Sequence, residues 1–284
     1  ITSQLEDGIR LLLLDPHWGV SSSRGVSTDF QSEGRNRNKV ANALPPDTLA
    51  AAERLVGRIG LGAGQEDLSR DVWLCHTVCE LGATRMSDAL EDVGEFLDRN
   101  PGEVVVIFIE PYVNPAELER VFVEAGLREQ LAELDPDLPL PTLGEMVAAD
   151  RRILVLTEKD ADPEYPWYHD GFAYVQDTPL GAQTVGELSC EPFRGGRDSP
   201  LLMLNHWADL FPPRAGANVP FLQKDFLIER VRQCERERDR PVNLIAADHY
   251  DQGDLMGAVD ELNAERVAEY EKAVAASETV EKEG

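Results

Sequence analysis

The segment Asp71 to Gly82, DVWLCHTVCELG, puts an imidazole at the end of a short apolar run. Val72, Trp73 and Leu74 lead into His76, which lies between Cys75 and Cys79. A run of that length, bounded by charge on one side and Gly82 on the other, reads as a buried strand with a proton-moving group at its carboxyl end. A hydrogen-bonded histidine beside structural cysteines is the alternative for this segment alone. The pattern recurs, however. Asp15 and His17 follow the run Ile9 to Leu14, Glu110 follows Glu103 to Ile109, and Glu158 and Lys159 follow Arg152 to Thr157. Asp177 follows Phe172 to Val175, Asn205 and His206 follow Leu201 to Leu204, and Asp248, His249 and Tyr250 follow Leu244 to Ala247. Four of the five histidines thus fall at strand ends, and His169 reads as a loop residue. Histidines and carboxylates in this pattern, with no nucleophile elbow and no dinucleotide fingerprint, point to acid/base catalysis assisted by a hard cation on oxygen ligands. Asp15 and Glu110 end neighbouring or nearly neighbouring strands and are the candidate ligands of one divalent ion, Ca2+ or Mg2+. Capping a helix or pairing with Arg is the alternative for each.

Seven apolar strands, mostly separated by helices of crossover length, have to position these residues, which is the signature of parallel βαβ units. Ile1 to Asp7 reads as the end of a helix closed by Gly8. Pro45-Pro46-Asp47 opens a helix with Leu49, Ala52, Leu55, Val56 and Ile59 on one face. Ser87 caps another, bearing Leu90, Val93, Phe96 and Leu97, and Asn114-Pro115 starts a third, with Leu118, Val121 and Phe122 inward. Thr142 and Glu145 fit a capping box, and Phe226, Leu227, Val231 and Cys234 mark a further helix. Residues 20 to about 45 are rich in Ser, Gly, Asn and Arg without periodicity and read as a long loop. The GLGAGQ stretch has no strand directly before it and no helix after it, which argues against a phosphate-cradling loop. Ionisable residues on nearly every strand suit the rim of a TIM-type (β/α)8 barrel better than the single switch point of an open sheet. Seven strands leave that barrel one short. The expected barrel spans residues 1–263, followed by an acidic helix or tail over 264–284 with Val267 and Tyr270 at helical spacing.

The 284 residues include 27 Lys plus Arg and 53 Asp plus Glu, a net charge of −26. Such a field repels nucleic acid phosphates and anionic bilayers, so the composition argues against a nucleic acid partner and suits a salty environment or a small soluble substrate, with simple solubility the plainer reading of most of the carboxylates. Four cysteines fit two disulfides in an exported protein or four buried thiols in a cytosolic one. CHTVC has no companion His/Cys cluster at zinc spacing. No transmembrane run or signal peptide is visible. Because the sequence opens with Ile1 in what reads as mid-helix, an N-terminal segment is expected to be missing.

The runs GIRLLLLDPHWG and LCHTVCELGATRMSDALEDVGEFLDRNPGEVVVIFIE resemble the catalytic X region of phosphatidylinositol-specific phospholipase C, especially its bacterial and fungal relatives. LLMLNHWADLFPPRAGANV and NLIAADHYDQGD resemble the closing strands of the same group, so the likeness runs from Gly8 to about Asn263. It implies a TIM-type barrel that cleaves a phosphodiester with two histidines, one the general base on an inositol hydroxyl and the other the general acid. His76 matches the acid, Asp15 the acidic residue that binds calcium or orients the machinery, and Glu110 a second acidic ligand. Asp248 matches more loosely a carboxylate that orients the base. The His-Asn-Ser segment of the first histidine is absent, in line with the missing strand, so an upstream histidine is expected to act as the base and the sequence as given is expected to be inactive. His17 stands where relatives have an acidic ligand or an arginine, leaving a cation or His17 to offset phosphate charge. Lys159 beside Glu158 is a poor polyphosphate site, which implies an unphosphorylated headgroup. Asp177, His206, His249 and Tyr250 complete the candidate substrate contacts. The resemblance further implies a lipid-headgroup or other phosphodiester substrate, transient membrane contact, a monomer, and an extracellular or cell-surface location. Cys75 would pair with Cys79 and Cys190 with Cys234, with buried thiols the alternative. Two other readings remain: a barrel without catalysis that binds at a surface, and a metal-dependent phosphodiesterase for glycerol or choline headgroups.

Overall fold

The structure, a computed structural model, describes residues 1–23, 25–35, 69–135, 137–210, 214 and 216–283, with isolated positions at 40, 46, 50 and 54. The helix face Leu49, Ala52, Leu55, Val56 and Ile59 and the GLGAGQ stretch lie outside the described residues. The chain divides into two compact units, one of Ile1–Val175 with Gly195–Pro200 and one of Gln176–Arg194 with Leu201–Gly284.

In the first unit, a short helix Thr2–Glu6 turns at Gly8 (φ +104°) into β1 (Leu11–Leu14). Pro16 follows almost at once, and the chain leaves that sheet to form β2 (Pro16–Ser22) and β3 (Gly25–Thr28), then returns as β4 (Ser69–Leu74) and β5 (Thr84–Arg85). These four make an antiparallel sheet in the order β3-β2-β4-β5. Two expectations are corrected here. Residues 20–22 and 25–28 are strand rather than loop, and the Val72–Leu74 run belongs to an antiparallel sheet rather than a parallel barrel strand. The physical reason is that β2 is stitched to its neighbours by hydroxyls instead of an apolar stripe: Ser21 Oγ meets Ser69 Oγ of β4 at 2.7 Å, and Ser22 Oγ donates to the Gly25 carbonyl of β3 at 3.0 Å. At Gly19 a Cβ would come within 2.6 Å of the Trp73 ring, so only glycine lets these strands approach.

The β-branched run expected from Glu103 forms β6 (Val105–Ile109), which lies between β1 and β7 (Ile153–Thr157), and β7 pairs with β8 (Tyr168–Asp170), all in parallel. Continuous apolar sequence is what a strand covered on both faces requires. Helix Met86–Arg99 covers the sheet with Leu90, Val93, Phe96 and Leu97 buried. Ser87 sits inside that helix and Arg85 is its N-cap, two residues earlier than the sequence suggests. Helix Pro115–Glu124 is capped by Asn114 and buries Leu118, Val121 and Phe122, and Leu143–Ala148 carries the full Thr142/Glu145 capping box. Two further corrections concern the end of this unit. His169 lies on β8 rather than in a loop, and Gly171–Tyr174 is a turn of helix rather than the start of a strand. The Asp170 side chain accepts the Phe172 N–H at 3.0 Å, and that cap overrides the strand preference of Phe and Tyr.

In the second unit β9 (Val175–Asp177), β10 (Leu201–Asn205) and β11 (Leu244–Ala246) form a sheet in the order β11-β10-β9, with β10 and β11 parallel. Helix Lys224–Arg238 buries Leu227, Ile228, Val231 and Cys234. A helix spans Leu255–Glu283, burying Leu255, Ala258 and Leu262 near its start, while Val267 and Tyr270 are exposed. The cysteines form Cys75–Cys79 and Cys190–Cys234. The fold is therefore α/β with mixed sheets; a closed ring of eight strands is not seen among the described residues.

Ile107, fully buried at the centre of β6 between Leu12 and Val155, tests this register. Ile107→Ala is expected to cost about 2–5 kcal/mol in chemical denaturation. Val123→Ala, on the exposed face of the adjoining helix, should stay within about 0.5 kcal/mol of the parent.

Candidate active site

Three consecutive carbonyls where β1 passes into β2 gather the candidate residues of the first unit. Leu14 O accepts the Glu110 N–H at 3.0 Å, Asp15 O accepts the Cys75 N–H at 3.2 Å, and Pro16 O accepts the Tyr112 N–H at 3.3 Å. The parallel and antiparallel sheets are joined at this point, which is why Asp15, His76, Glu110 and Tyr112 become neighbours. His76 Nδ1 lies 3.3 Å from Asp15 Oδ2; the imidazole is 80% accessible and the carboxylate 24%. A carboxylate at Nδ1 fixes the ring's orientation and tautomer, so that Nε2 is the nitrogen that exchanges a proton.

Beneath this pair lies a buried polar cluster. His17, expected near a phosphate, is fully buried, with Nδ1 2.9 Å from Glu33 Oε1. Glu33 also accepts from the Trp18 N–H at 3.0 Å and from Arg35 Nη1 at 3.0 Å. His17 Nδ1 also lies 3.3 Å from Arg35 Nη1, and Nε2 is buried without a hydrogen-bond partner among the described residues. The His17 ring stacks on Tyr112, with centroids 4.1 Å apart and 14° between planes. The Arg35 guanidinium lies 4.5 Å from the centroid of the same Tyr112 ring and Lys159 Nζ 5.5 Å from it. The Tyr112 hydroxyl donates to Glu110 Oε1. Burial first, and then the bonded Glu110 carboxylate, push the Tyr112 phenol well above its ordinary value, so it stays a donor. Arg35 also reaches the Thr77 carbonyl at 3.4 Å, beside His76, and Lys159 is exposed.

Glu33, Arg35 and Tyr112 escaped the sequence reading. The first two sit in an aperiodic stretch that gives no signal. Tyr112, two residues beyond Glu110 at a strand end, was legible as an aromatic neighbour of a candidate acid. His169 is buried, with Nε2 3.0 Å from the Ala132 carbonyl, and burial lowers its pKa.

Asp177, His206, Asp248, His249 and Tyr250 all belong to the second unit. Asp177 is fully buried and is held by Arg194 Nη2 at 2.6 Å and Nε at 2.9 Å, and by Asn205 Nδ2 at 3.0 Å. His206 is fully buried, donating from Nε2 to Phe221 O at 2.7 Å and accepting from Arg230 Nη1 at Nδ1 at 2.6 Å. Asp248 and His249 are exposed, and His249 has a left-handed backbone (φ +51°) leading into the short turn Tyr250–Gln252.

The described donor set does not fit a resident divalent ion. Among the described residues no group of three or more His, Cys, Asp or Glu side chains could hold a metal. Asp15 is engaged by His76 and Glu110 by Tyr112, whereas calcium takes six to eight oxygens.

His206 carries a pH signature for stability. Its pKa falls from 6.5 to about 4, mainly through burial and then through the Arg230 charge, with the Phe221 bond acting the other way. The folded value lies below the unfolded one, so protons favour the unfolded chain between those limits. Stability present above pH 6.5 is lost as pH falls towards 4, by roughly 3 kcal/mol. Urea midpoints should drop over that window, and His206→Gln, which can still accept from Arg230 and donate to Phe221, should show a visibly shallower drop.

The chain matches the family described as PI-PLC X 1 over residues 56–263. It is 26% identical over 209 residues to PI-PLC X domain-containing protein 1 of Arthroderma benhamiae, an overlap of 67% of this chain and 68% of that protein. A PI-PLC X domain-containing protein of Arabidopsis thaliana is 28% identical over 226 residues, 72% of this chain and 52% of the relative. An uncharacterized secreted protein of Arthroderma benhamiae is 25% identical over 219 residues, 68% of this chain and 49% of the relative. The chain therefore spans about half the length of the latter two. Among solved structures, phosphatidylinositol-specific phospholipase C from Listeria monocytogenes is similar with a TM-score of 0.47 and 12% identity, over 91% of this chain and 80% of that one. Residues 56–263 run through the His76 loop and both units, and the chain belongs to the PI-PLC X family.

Proposed function

We propose that this chain carries the His76 part of the active site of a phosphodiester hydrolase of the phospholipase C type, built on a TIM-type barrel and acting on a phosphatidylinositol-like diester. The observation that carries the reading is the accessible His76 imidazole held through Nδ1 by Asp15. In this mechanism a hydroxyl of the headgroup attacks phosphorus, and His76 protonates the departing oxygen from Nε2. Arg35, beside the His76 loop, and Lys159 offset negative charge on the phosphate. The base that accepts the hydroxyl proton is a second imidazole. The buried rings of His17, His169 and His206 are not suited to it.

Lys159, flanked by Glu158 and Asp160, supplies no cluster of cations, which favours an unphosphorylated headgroup. The two disulfides, together with a relative named as secreted, support an extracellular or cell-surface location. A net charge of −26 suits transient rather than sustained contact with an anionic bilayer. A Ca2+ or Mg2+ ion on Asp15 and Glu110 would have to compete with His76 and Tyr112, so turnover is expected to survive a chelator. The second reading, a binding protein without catalysis, is favoured by the burial of three of the five histidines.

Turnover of phosphatidylinositol and of glycerol and choline diesters by the full-length protein, with and without chelator, separates these readings. His76→Ala is expected to lower turnover of the inositol lipid by about 100- to 10,000-fold. No turnover of any diester by folded protein would favour the binding reading, and a chelator-sensitive activity on choline or glycerol diesters would favour the metal-dependent one.

A further inference from the structure

The five-residue loop that presents His76 is closed on itself. Cys75 and Cys79 are joined with a Cα separation of 4.8 Å, and both are buried. Between them Thr77 has φ +67°, and the Val78 N–H bonds back to His76 O at 2.8 Å. A hydrogen bond from residue i+2 to residue i around a β-branched residue at positive φ is a strained three-residue turn, which persists only where its surroundings impose it. The surroundings here are the Arg35 guanidinium, 3.4 Å from the Thr77 carbonyl, and two anchors at the loop's ends. At the entry, the Cys75 N–H is bound to Asp15 O, so the loop starts from the residue whose carboxylate meets His76. At the exit, the Cys79 N–H donates to Thr28 Oγ1 at 2.8 Å. Thr28 in turn donates its N–H at 3.1 Å and its Oγ1 at 2.8 Å to the buried Glu80 carboxylate.

Each anchor contributes one hydrogen bond from the loop's own ends, whereas the sulfur bridge fixes the separation between those ends. We propose that the Cys75–Cys79 disulfide is a positioning element for His76, holding the strained Thr77 turn so that the imidazole stays against Asp15. Chemistry at His76 then requires the oxidised loop. The inference rests on His76 acting as in the proposed function. When a dithiol reduces the bridge, two electrons break the S–S bond, each sulfur takes a proton, and the dithiol closes to its own disulfide. Thr77 is then free to relax to negative φ, which turns the adjoining peptide and draws His76 away from Asp15.

The test compares the parent with Cys75→Ser/Cys79→Ser. The first readout is the neutral-ring tautomer of His76 from long-range proton–nitrogen NMR correlation, which needs no activity. The parent should show hydrogen at Nδ1, and the variant a shift towards hydrogen at Nε2. The second readout is kinetic. The variant should lose roughly 10- to 100-fold in kcat, with KM within about twofold. Asp15→Asn should cost much less in the variant than in the parent, because both changes break one interaction. Should the variant fail to fold, the parent is titrated with dithiothreitol under native conditions, with alkylation and mass spectrometry assigning Cys75 and Cys79, and the tautomer is followed against opening of that bridge. A tautomer and kcat unchanged once the bridge is open, or additive effects with Asp15→Asn, would overturn the proposal. If the parent itself turns over no diester, the functional reading fails while the tautomer still decides the positioning role.

Discussion

The first unit depends on a short junction, residues 14 to 16, where the chain leaves a parallel sheet and enters an antiparallel one. Pro16 has no N–H to continue the first ladder, and the three carbonyls of Leu14, Asp15 and Pro16 instead accept from Glu110, Cys75 and Tyr112. Backbone hydrogen bonds in a partly buried region are expensive to leave unmade. Those three bonds therefore fix where the end of β6 and the end of β4 lie relative to Asp15, and the functional geometry follows from backbone pairing. The Asp15–His76 contact is its result.

Histidine plays two roles in this chain, and burial separates them. His17, His169 and His206 are buried with a ring nitrogen bonded to Glu33, the Ala132 carbonyl or the Phe221 carbonyl, so their polar atoms serve the fold. His76 and His249 are exposed. Arg230, which meets His206 and the Asn205 carbonyl, is itself lowered to about 10 by burial, the mark of a cation kept in the interior by neutral acceptors. Next to the His76 loop, the stacked His17, Tyr112 and Arg35 form a floor that Glu33 and Glu110 hold by hydrogen bonds. That floor leaves the exposed imidazole above it as the group positioned to exchange a proton.

The sequence made the apolar strands plain, because β1, β6, β7, β10 and β11 are continuous apolar runs, of which β6, β7 and β10 are the most fully buried while β1 leaves Leu13 exposed. The caps at Asn114 and Thr142 were equally legible, since their side chains act within four residues. β2 and β3 were not, because Ser21, Ser22 and Gly25 pair through hydroxyls and backbone and leave no hydrophobic period. Phe172 to Tyr174 misled through strand propensity that one Asp170 cap overrode. Asp15, His76 and Glu110 could be found as polar residues at strand ends. Their meeting point could not, because it is set by a change of sheet at Pro16, and neither could Glu33 and Arg35, which reach His17 from an aperiodic segment.

The central claim is that the Asp15-held imidazole of His76 is the group that meets the scissile phosphate. A crystal structure with a non-hydrolysable phosphonate analogue of an inositol phosphodiester tests it most directly. The expected result is a phosphonate oxygen within hydrogen-bond distance of His76 Nε2, with Nδ1 still against Asp15. An analogue bound in full occupancy away from His76, or bound with the His76–Asp15 contact broken, would contradict the account.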